Sequence, residues 1–425
     1  MDIPQGTKDQ GQRTIDIVKA AVLEDVAKMV VRGVPDPGLS PREVMIRVLA
    51  VGVCGTDLHI FRGHGNYNLD ARGRVVPLTE HPQILGHEFA GEVVEVGREV
   101  KDLRRGDRVL CDQGRNCFSQ GRTPPCAYCS TGDSHQCEHY REHGITGLPG
   151  AMAEYIAMPA VNCLKFEVAT ELAALVEPLG CVLHSCHRVD RANKRYTFGG
   201  AQRIKNVLIC GAGPAGLLFL QYLRKVVRFD GLILISDVRE RNLGLARAFG
   251  GLPVNVAAED LTQVVEERTK GERVHYLIEA CGNSDIFEQM PALLRKQATV
   301  LLYGHGHKGR DIGLWNNVLY LEPTLVGAVG ASGGFDKDKR PTTYRRALEL
   351  VSSGKIKVGD FVTHRYYALE EIHQAFEQDF DRPEYIKGLL DLEPKVNRGV
   401  LKVKTRSEKP RGRHSEPASR QRPAA

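Results

Sequence analysis

Asn206–Gly216 reads NVLICGAGPAG, and the run LLFLQYLRKV follows it directly. A short apolar strand ends at a glycine turn, and the turn opens a helix-forming segment. The glycines stand at G-x-G-x-x-G spacing. Gly211 permits the tight reversal, Gly213 lets the backbone approach a pyrophosphate, and Gly216 allows close packing of helix on strand. With Ala212 and Pro214 they form a loop at a helix N-terminus, where free N–H groups and the dipole favour an anion. The next strand, LILISD, closes on Asp237, 26 residues after Gly211. A carboxylate there accepts both ribose hydroxyls and repels a 2′-phosphate, which predicts NAD rather than NADP. Arg239 and Arg241 just beyond could draw a phosphate and oppose that preference.

Beyond Asp237, RERNLGLARAFG has helical spacing, YLIEACG and ATVLLYG are apolar strands, and the alternation predicts βαβ units on a parallel sheet to about Val329. Upstream the grammar differs. VKAAVL, MVVRGV, EVMIRVLAVGV, EFAGEVVEVG, GDRVLC and AEYIAMP are short β-rich runs separated by Pro and Gly turns, so a mostly β unit is expected from Val18 to about Cys163. Near Thr170 the spacing becomes helical, in ATELAALVEPLGCVLHSCHRV. The last part, TTYRRALELVSSGKI and FVTHRYYALEEIHQAFE, predicts helix, strand and helix, ending near Leu392. No repeat of solenoid period is present.

The 425 residues carry a formal charge of +6, but Glu393–Ala425 alone holds +7, leaving about −1 for the rest. The globular part is therefore near neutral, and the basicity belongs to a tail rich in Arg, Pro and Ser. Composition favours a solvated, unstructured extension over an arm for nucleic acid. Nothing reads as a secretory h-region or a membrane span, so a cytoplasmic protein is expected. In that reducing setting the 11 cysteines point to metal ligation before disulfides.

Two constellations carry that chemistry. Cys126-x2-Cys129-x7-Cys137 lies in a loop rich in Gly, Ser and Pro, with Cys117 upstream and Cys111 as the competing fourth ligand. Four thiolates at tetrahedral reach make a closed, structural zinc site. The second is Cys54-Gly-Thr56-Asp57-Leu-His59, with Gly86-His87-Glu88 and later Glu177-Pro178. Cys, His and Glu are all zinc ligand types, and a mixed set with an open position is how catalytic zinc is built.

On these residues the chain resembles the zinc-containing medium-chain dehydrogenase/reductase family, nearest its polyol branch of sorbitol, threonine and related sugar or cyclitol dehydrogenases. The resemblance runs from about Val18 to Leu392 and rests on CGTDLH, GHEFAGEVVEVG, GDRV, CxxCx7C, VEPLGCVLH, GAGPAG and SGKI…FVTHRY…LEEIHQAFE in the family's order. It implies an α/β protein: a GroES-like, mostly β catalytic domain over 18–184 and 336–392, flanking a Rossmann coenzyme domain over 185–335. An N-terminal extension, 1–17, and the tail, 393–425, lie outside it. It further implies that Cys54 and His87 ligate a catalytic Zn2+, with Glu88 or Glu177 as third ligand. Glu177 stands where the classical alcohol dehydrogenases carry a cysteine. Thr56 and His59 match the family's proton relay, and Cys117 matches the first structural ligand.

Hydride exchange between a secondary alcohol carbon and nicotinamide follows as the expected activity, in a homodimer or homotetramer. The alternatives are a catalytically silent nucleotide binder, which would need broken ligands, and a nucleic-acid-associated protein acting through the tail. Two features depart from the pattern. Eight residues separate Cys117 from Cys126 where the family usually has two, and Gly63–Pro82 and Asp190–Ile204 are long. The first long segment is expected to border the substrate cleft, bringing His64 or His81 toward the metal.

Overall fold

The computed structural model describes residues 16–305, 315–331 and 333–394. Nearly all of the N-terminal extension, and the tail beyond Pro394, lie outside the described residues. The strand Asn206–Cys210 is buried at every position and sits inside a six-stranded sheet. Its parallel neighbours are Leu232–Asp237 on one side and Val274–Glu279 on the other. Leu252–Asn255 extends the first side; Leu294–Leu302 and then Thr324–Gly327 extend the second. In chain order this is 3-2-1-4-5-6, the Rossmann arrangement, whose ligand crevice opens where the order reverses, beside Asn206–Cys210.

The glycine turn works as its spacing requires. Gly211 holds φ 99°, a conformation that a side chain resists. A Cβ at Gly216 would drive into the carbonyl oxygen of Gly211, whereas one at Gly213 would meet nothing and is the open approach for a ligand. The helix that follows runs Pro214–Gln221 and then loosens into a π-helical stretch, Tyr222–Val227.

The mostly β part forms a seven-stranded sheet. At its centre lies Glu43–Val53, buried at all but one position because alternation gives way to a run of Val, Ile, Leu and Ala. Glu88–Val96 pairs with it antiparallel on one side and Lys387–Asp391 on the other. The C-terminal segment therefore returns to the first sheet, with Val362–Tyr366 parallel to Lys387–Asp391 at the edge. The expected last helix is a continuous helical run of changing pitch, 3-10 over Leu369–Glu371, α over Ile372–Gln374 and π over Ala375–Asp379. Asp379 there accepts the Tyr366 hydroxyl at 2.9 Å, a bond that ties this stretch to the edge strand. Helix Val176–Arg191 is buried along one face and helix Thr342–Ser352 packs on it, in a core shared with Val207 and Ile209. Among the described residues no helix is long and apolar enough to cross a membrane.

Two glycine substitutions separate space from conformational entropy. Gly216→Val should lower stability by at least the ~1–3 kcal/mol typical of overpacking. Gly244→Ala, inside helix Glu240–Ala248 with open space around it, should raise it by about 0.5–1 kcal/mol. Urea unfolding followed by circular dichroism reads both.

Candidate active site and metal centres

Cys54 caps the short helix Gly55–Phe61, which leaves the end of the central strand. Its backbone N–H donates to Asp57 Oδ2 at 2.9 Å, and Asp57 Oδ1 accepts from Gly86 N at 3.1 Å and lies 3.3 Å from His87 Nδ1. Asp57 is fully buried, so this one carboxylate binds the Cys54 turn to the Gly86-His87-Glu88 corner. Ligand-type atoms of Cys54, His87 and Glu88 all lie within 4.8 Å of one another.

The set fits a cation. Glu88 Oε2 is buried without a hydrogen-bond partner, and a buried unpaired polar atom is costly unless something else satisfies it. Burial opposes a charge on His87, but Asp57 and Cys54 outweigh it and raise its pKa, the mark of a locally negative pocket. One thiolate, one imidazole and one carboxylate leave a fourth tetrahedral position free.

Glu177 does not join this group. It is buried at the start of helix Val176–Arg191, and its Oε1 accepts from Gln113 Nε2 and Cys181 Sγ, each at 3.1 Å. Burial lifts its pKa to about 7, with His87 pulling it down and Glu88 pushing it up, so it stands near the cluster in a second layer. Thr56 and His59, three residues apart on helix Gly55–Phe61, share a face and are both half-buried. The His59 pKa is lowered by burial and then by His64, His305 and Arg62, which favours the neutral ring. His64 lies 6.1 Å from His59, ring to ring, whereas His81 is exposed.

Sequence reasoning missed Asp57's bridging role and Lys387. Lys387 Nζ lies 2.6 Å from Glu88 Oε1, both side chains buried. The strand pairing explains the meeting: Gly52 stands opposite both Glu88 and Leu389. A Cβ on Gly52 would collide with Glu88 Oε2, so only glycine leaves the corridor through which the acid and the amine reach each other across the intervening strand. The spacing of Asp57 three residues after Cys54 was a readable capping signal; nothing local announces Lys387.

The four cysteines 117, 126, 129 and 137 also place their sulfurs within 4.8 Å of one another. Cys117–Cys137 is 3.7 Å and Cys126–Cys137 3.9 Å, close to the ~3.8 Å between sulfurs on a tetrahedral zinc with Zn–S near 2.3 Å. Backbone N–H groups of Cys129 and Glu138 lower the Cys126 thiol to about 6, which prepares a thiolate. Cys111, the competing candidate, instead pairs with Cys163 at 3.5 Å in the β core.

At the glycine turn, Asp237 Oδ2 accepts from Ala212 N at 2.8 Å and Oδ1 from Arg239 N at 2.9 Å, fixing the carboxylate beside the loop with acceptor capacity to spare. The Arg239 guanidinium is turned away to the carbonyls of Tyr385 and Phe380, and Arg241 is exposed.

Comparison with known proteins agrees with this architecture. Residues 40–168 match the alcohol dehydrogenase GroES-like domain, and residues 214–353 match the zinc-binding dehydrogenase domain. An L-threonine 3-dehydrogenase of Pyrococcus furiosus is 32% identical over 83% of this chain and 91% of its own. A sorbitol dehydrogenase of Arabidopsis thaliana is 30% identical, over 84% and 90%. A zinc-binding dehydrogenase structure from Sinorhizobium meliloti, solved with NADP, superimposes with a TM-score of 0.70 at 27% identity, covering 88% of this chain and 99% of that one. The chain belongs to the zinc-containing medium-chain dehydrogenase/reductase family, with a GroES-like domain and a Rossmann domain.

Two buried groups give stability tests. Lys387→Met strands the Glu88 carboxylate and should cost about 3–5 kcal/mol; adding Glu88→Gln should recover most of it in a double-mutant unfolding cycle. Asp112 is buried and accepts from Gly114 N at 2.8 Å. Burial pushes its carboxyl up to about 7, with Gly114 N–H opposing and Glu142 and Glu177 adding. Between the unfolded value near ~4 and the folded value, the folded state binds the extra proton, so this group makes stability fall as pH rises. Asp112→Asn keeps the Gly114 acceptor and should flatten that decline, so the variant melts higher than wild type at pH ~8 but not at pH ~4.

Proposed function

We propose that this protein is a zinc-dependent, NAD-linked dehydrogenase that interconverts a secondary alcohol, of the polyol, sugar, cyclitol or amino-alcohol class, and its ketone. The convergence of Cys54, His87 and Glu88 within 4.8 Å carries the reading, since it supplies an open metal site on a buried, negatively polarised corner. Sorbitol and threonine dehydrogenases among the relatives support the alcohol class.

Cys54, His87 and Glu88 would hold the catalytic zinc, and Glu177 stands behind them as an exchangeable carboxylate. A zinc bound there would supply Lewis acidity that makes the substrate alkoxide available near neutral pH. Thr56 would take the hydroxyl proton and pass it outward. His59, kept neutral by burial and its cationic neighbours, is the acceptor at the outer end. The turn Gly211–Gly216, with Ala212 and Pro214, would seat the coenzyme pyrophosphate, and Asp237 its ribose. NAD is favoured because Asp237 is fixed at the loop while Arg239 is occupied by backbone carbonyls; the NADP held by the Sinorhizobium protein makes coenzyme preference a necessary measurement. Cys117, Cys126, Cys129 and Cys137 would hold a second, structural zinc. We assign the protein to the cytoplasm and to a homodimer or homotetramer on the family pattern.

The decisive experiment is an NADH-absorbance screen of polyols, sugars, cyclitols and amino alcohols, run beside metal analysis of the same protein. Wild type should hold two zinc per chain and turn over at least one of these classes. Cys54→Ser should lose one zinc and turnover by at least a hundredfold while binding NAD normally, read by NADH fluorescence. Full activity after removal of the metal would refute the assignment.

A further inference from the structure

A cavity of about 630 Å³ lies away from the metal centres, lined by Arg195, Arg273, Arg295 and Lys296 with only Glu272 and Glu322 as carboxylates. Strand direction fixes where it is. Val274–Glu279 and Leu294–Leu302 both begin at the cavity, whereas Cys210, at the glycine turn, is level with Glu279 at the far end. One strand of six residues, roughly 17–20 Å, separates the cavity from the coenzyme turn.

Its cations are held in place by neutral partners. Arg295 donates from Nε to Tyr196 Oη at 3.2 Å and from Nη1 to the Glu272 carbonyl at 3.1 Å. Arg273 Nη1 donates to the Pro291 carbonyl at 3.0 Å, and Arg195 Nη1 to Gln297 Oε1 at 3.1 Å. Neither carboxylate pairs with these cations: Glu272 is bound to Lys205 at 2.8 Å, and Glu322 accepts from Gln297 Nε2, also in the cavity wall, at 2.8 Å. Among the described residues none of the four lining cations forms an ion pair. Arg273 and Arg295 are half-buried and no carboxylate among the described residues is in ion-pair contact with either, although the Arg295 charge is felt at Glu272. His275, two residues along, feels the same field: burial and then Arg295 lower its pKa to about 4.

We propose that this cavity is an anion site, distinct from the coenzyme site, that takes the phosphate group of a small molecule. Guanidiniums already held by carbonyl, hydroxyl and amide oxygens keep further N–H groups available, and such groups recognise phosphate oxygens. Free phosphate and a phosphate monoester share this chemistry.

Isothermal titration of the zinc-loaded, full-length protein with inorganic phosphate and, separately, glycerol phosphate tests the proposal. Each titration is run with and without saturating NAD. Binding that persists unchanged with NAD is expected, and tighter binding of the ester would identify an organic phosphate as the natural occupant. Arg273→Gln and Arg295→Gln should each weaken it at least tenfold while the circular dichroism melt is kept. If either fails to fold, the exposed pair Arg195→Gln/Lys296→Gln should weaken it at least threefold. Absence of binding to wild type, displacement by NAD, or equal affinity in folded variants would each overturn the site. None of these outcomes depends on turnover, so failure here is distinguishable from failure of the proposed activity.

Discussion

The site depends on one buried carboxylate. Asp57 is shielded from water and accepts from the Cys54 and Gly86 backbones while lying 3.3 Å from the His87 ring. A charge in that place is tolerable only because N–H donors and an imidazole surround it. Its geometry in turn brings the Cys54 thiol and the His87 imidazole, 33 residues apart in sequence, toward a common point. The oxygen that accepts from Gly86 also lies beside the His87 ring, so one group both assembles the corner and makes it locally negative.

The second constraint is the return of the chain. Lys387–Asp391 closes the far side of the strand Glu43–Val53, and only this pairing brings an amine to the Glu88 carboxylate. Gly52 makes the contact possible by having no side chain. Lys387 and a bound cation would compete for one carboxylate. Glu88 Oε1 is committed to the lysine while Oε2 has no partner, so the residue is divided between structure and site. Glu177 is arranged differently. Held by Gln113 and Cys181, with its pKa lifted by burial, it stands behind the Cys54–His87–Glu88 corner instead of in it.

What was legible in the sequence was what local pattern determines. The strand–glycine–helix reading of Asn206–Gly216, Asp237 at the next strand end, and the β grammar before Cys163 all correspond to observed elements, because periodicity and turn chemistry act within a dozen residues. The grouping of Cys54 with His87 and Glu88 was legible from their ligand types and strengthened by the resemblance, but spacing alone does not show how two loops fold together. Lys387 was illegible: its partner is 299 residues away, and a lysine in an apolar strand looks like any edge residue. The late helix read from LEEIHQAFE is present as one continuous helical run over 369–379, but its passage from 3-10 through α to π geometry is not visible in the periodicity. The partners of Arg239 were equally out of view, its carbonyls belonging to a segment more than a hundred residues later.

The long spacing between Cys117 and Cys126 shows how such a departure is absorbed. A loop of eight intervening residues adds closure entropy only logarithmically, and the chain offsets even that with internal bonds. Asn116 Oδ1 accepts from Phe118 N, Arg122 N donates to the Cys117 carbonyl, and Gln120 Nε2 reaches the His139 carbonyl across the loop. Phe118 packs at 5.0 Å against Phe335, fastening the loop's outer side. The extra residues therefore go into a fastened surface loop, while Cys126 N still donates to Cys117 Sγ at 3.3 Å. The long loop shapes the contour around the four sulfurs and still leaves them within 4.8 Å of one another. Ligand geometry is fixed by the backbone at each cysteine, and the number of residues between them is free to drift so long as the loop pins itself.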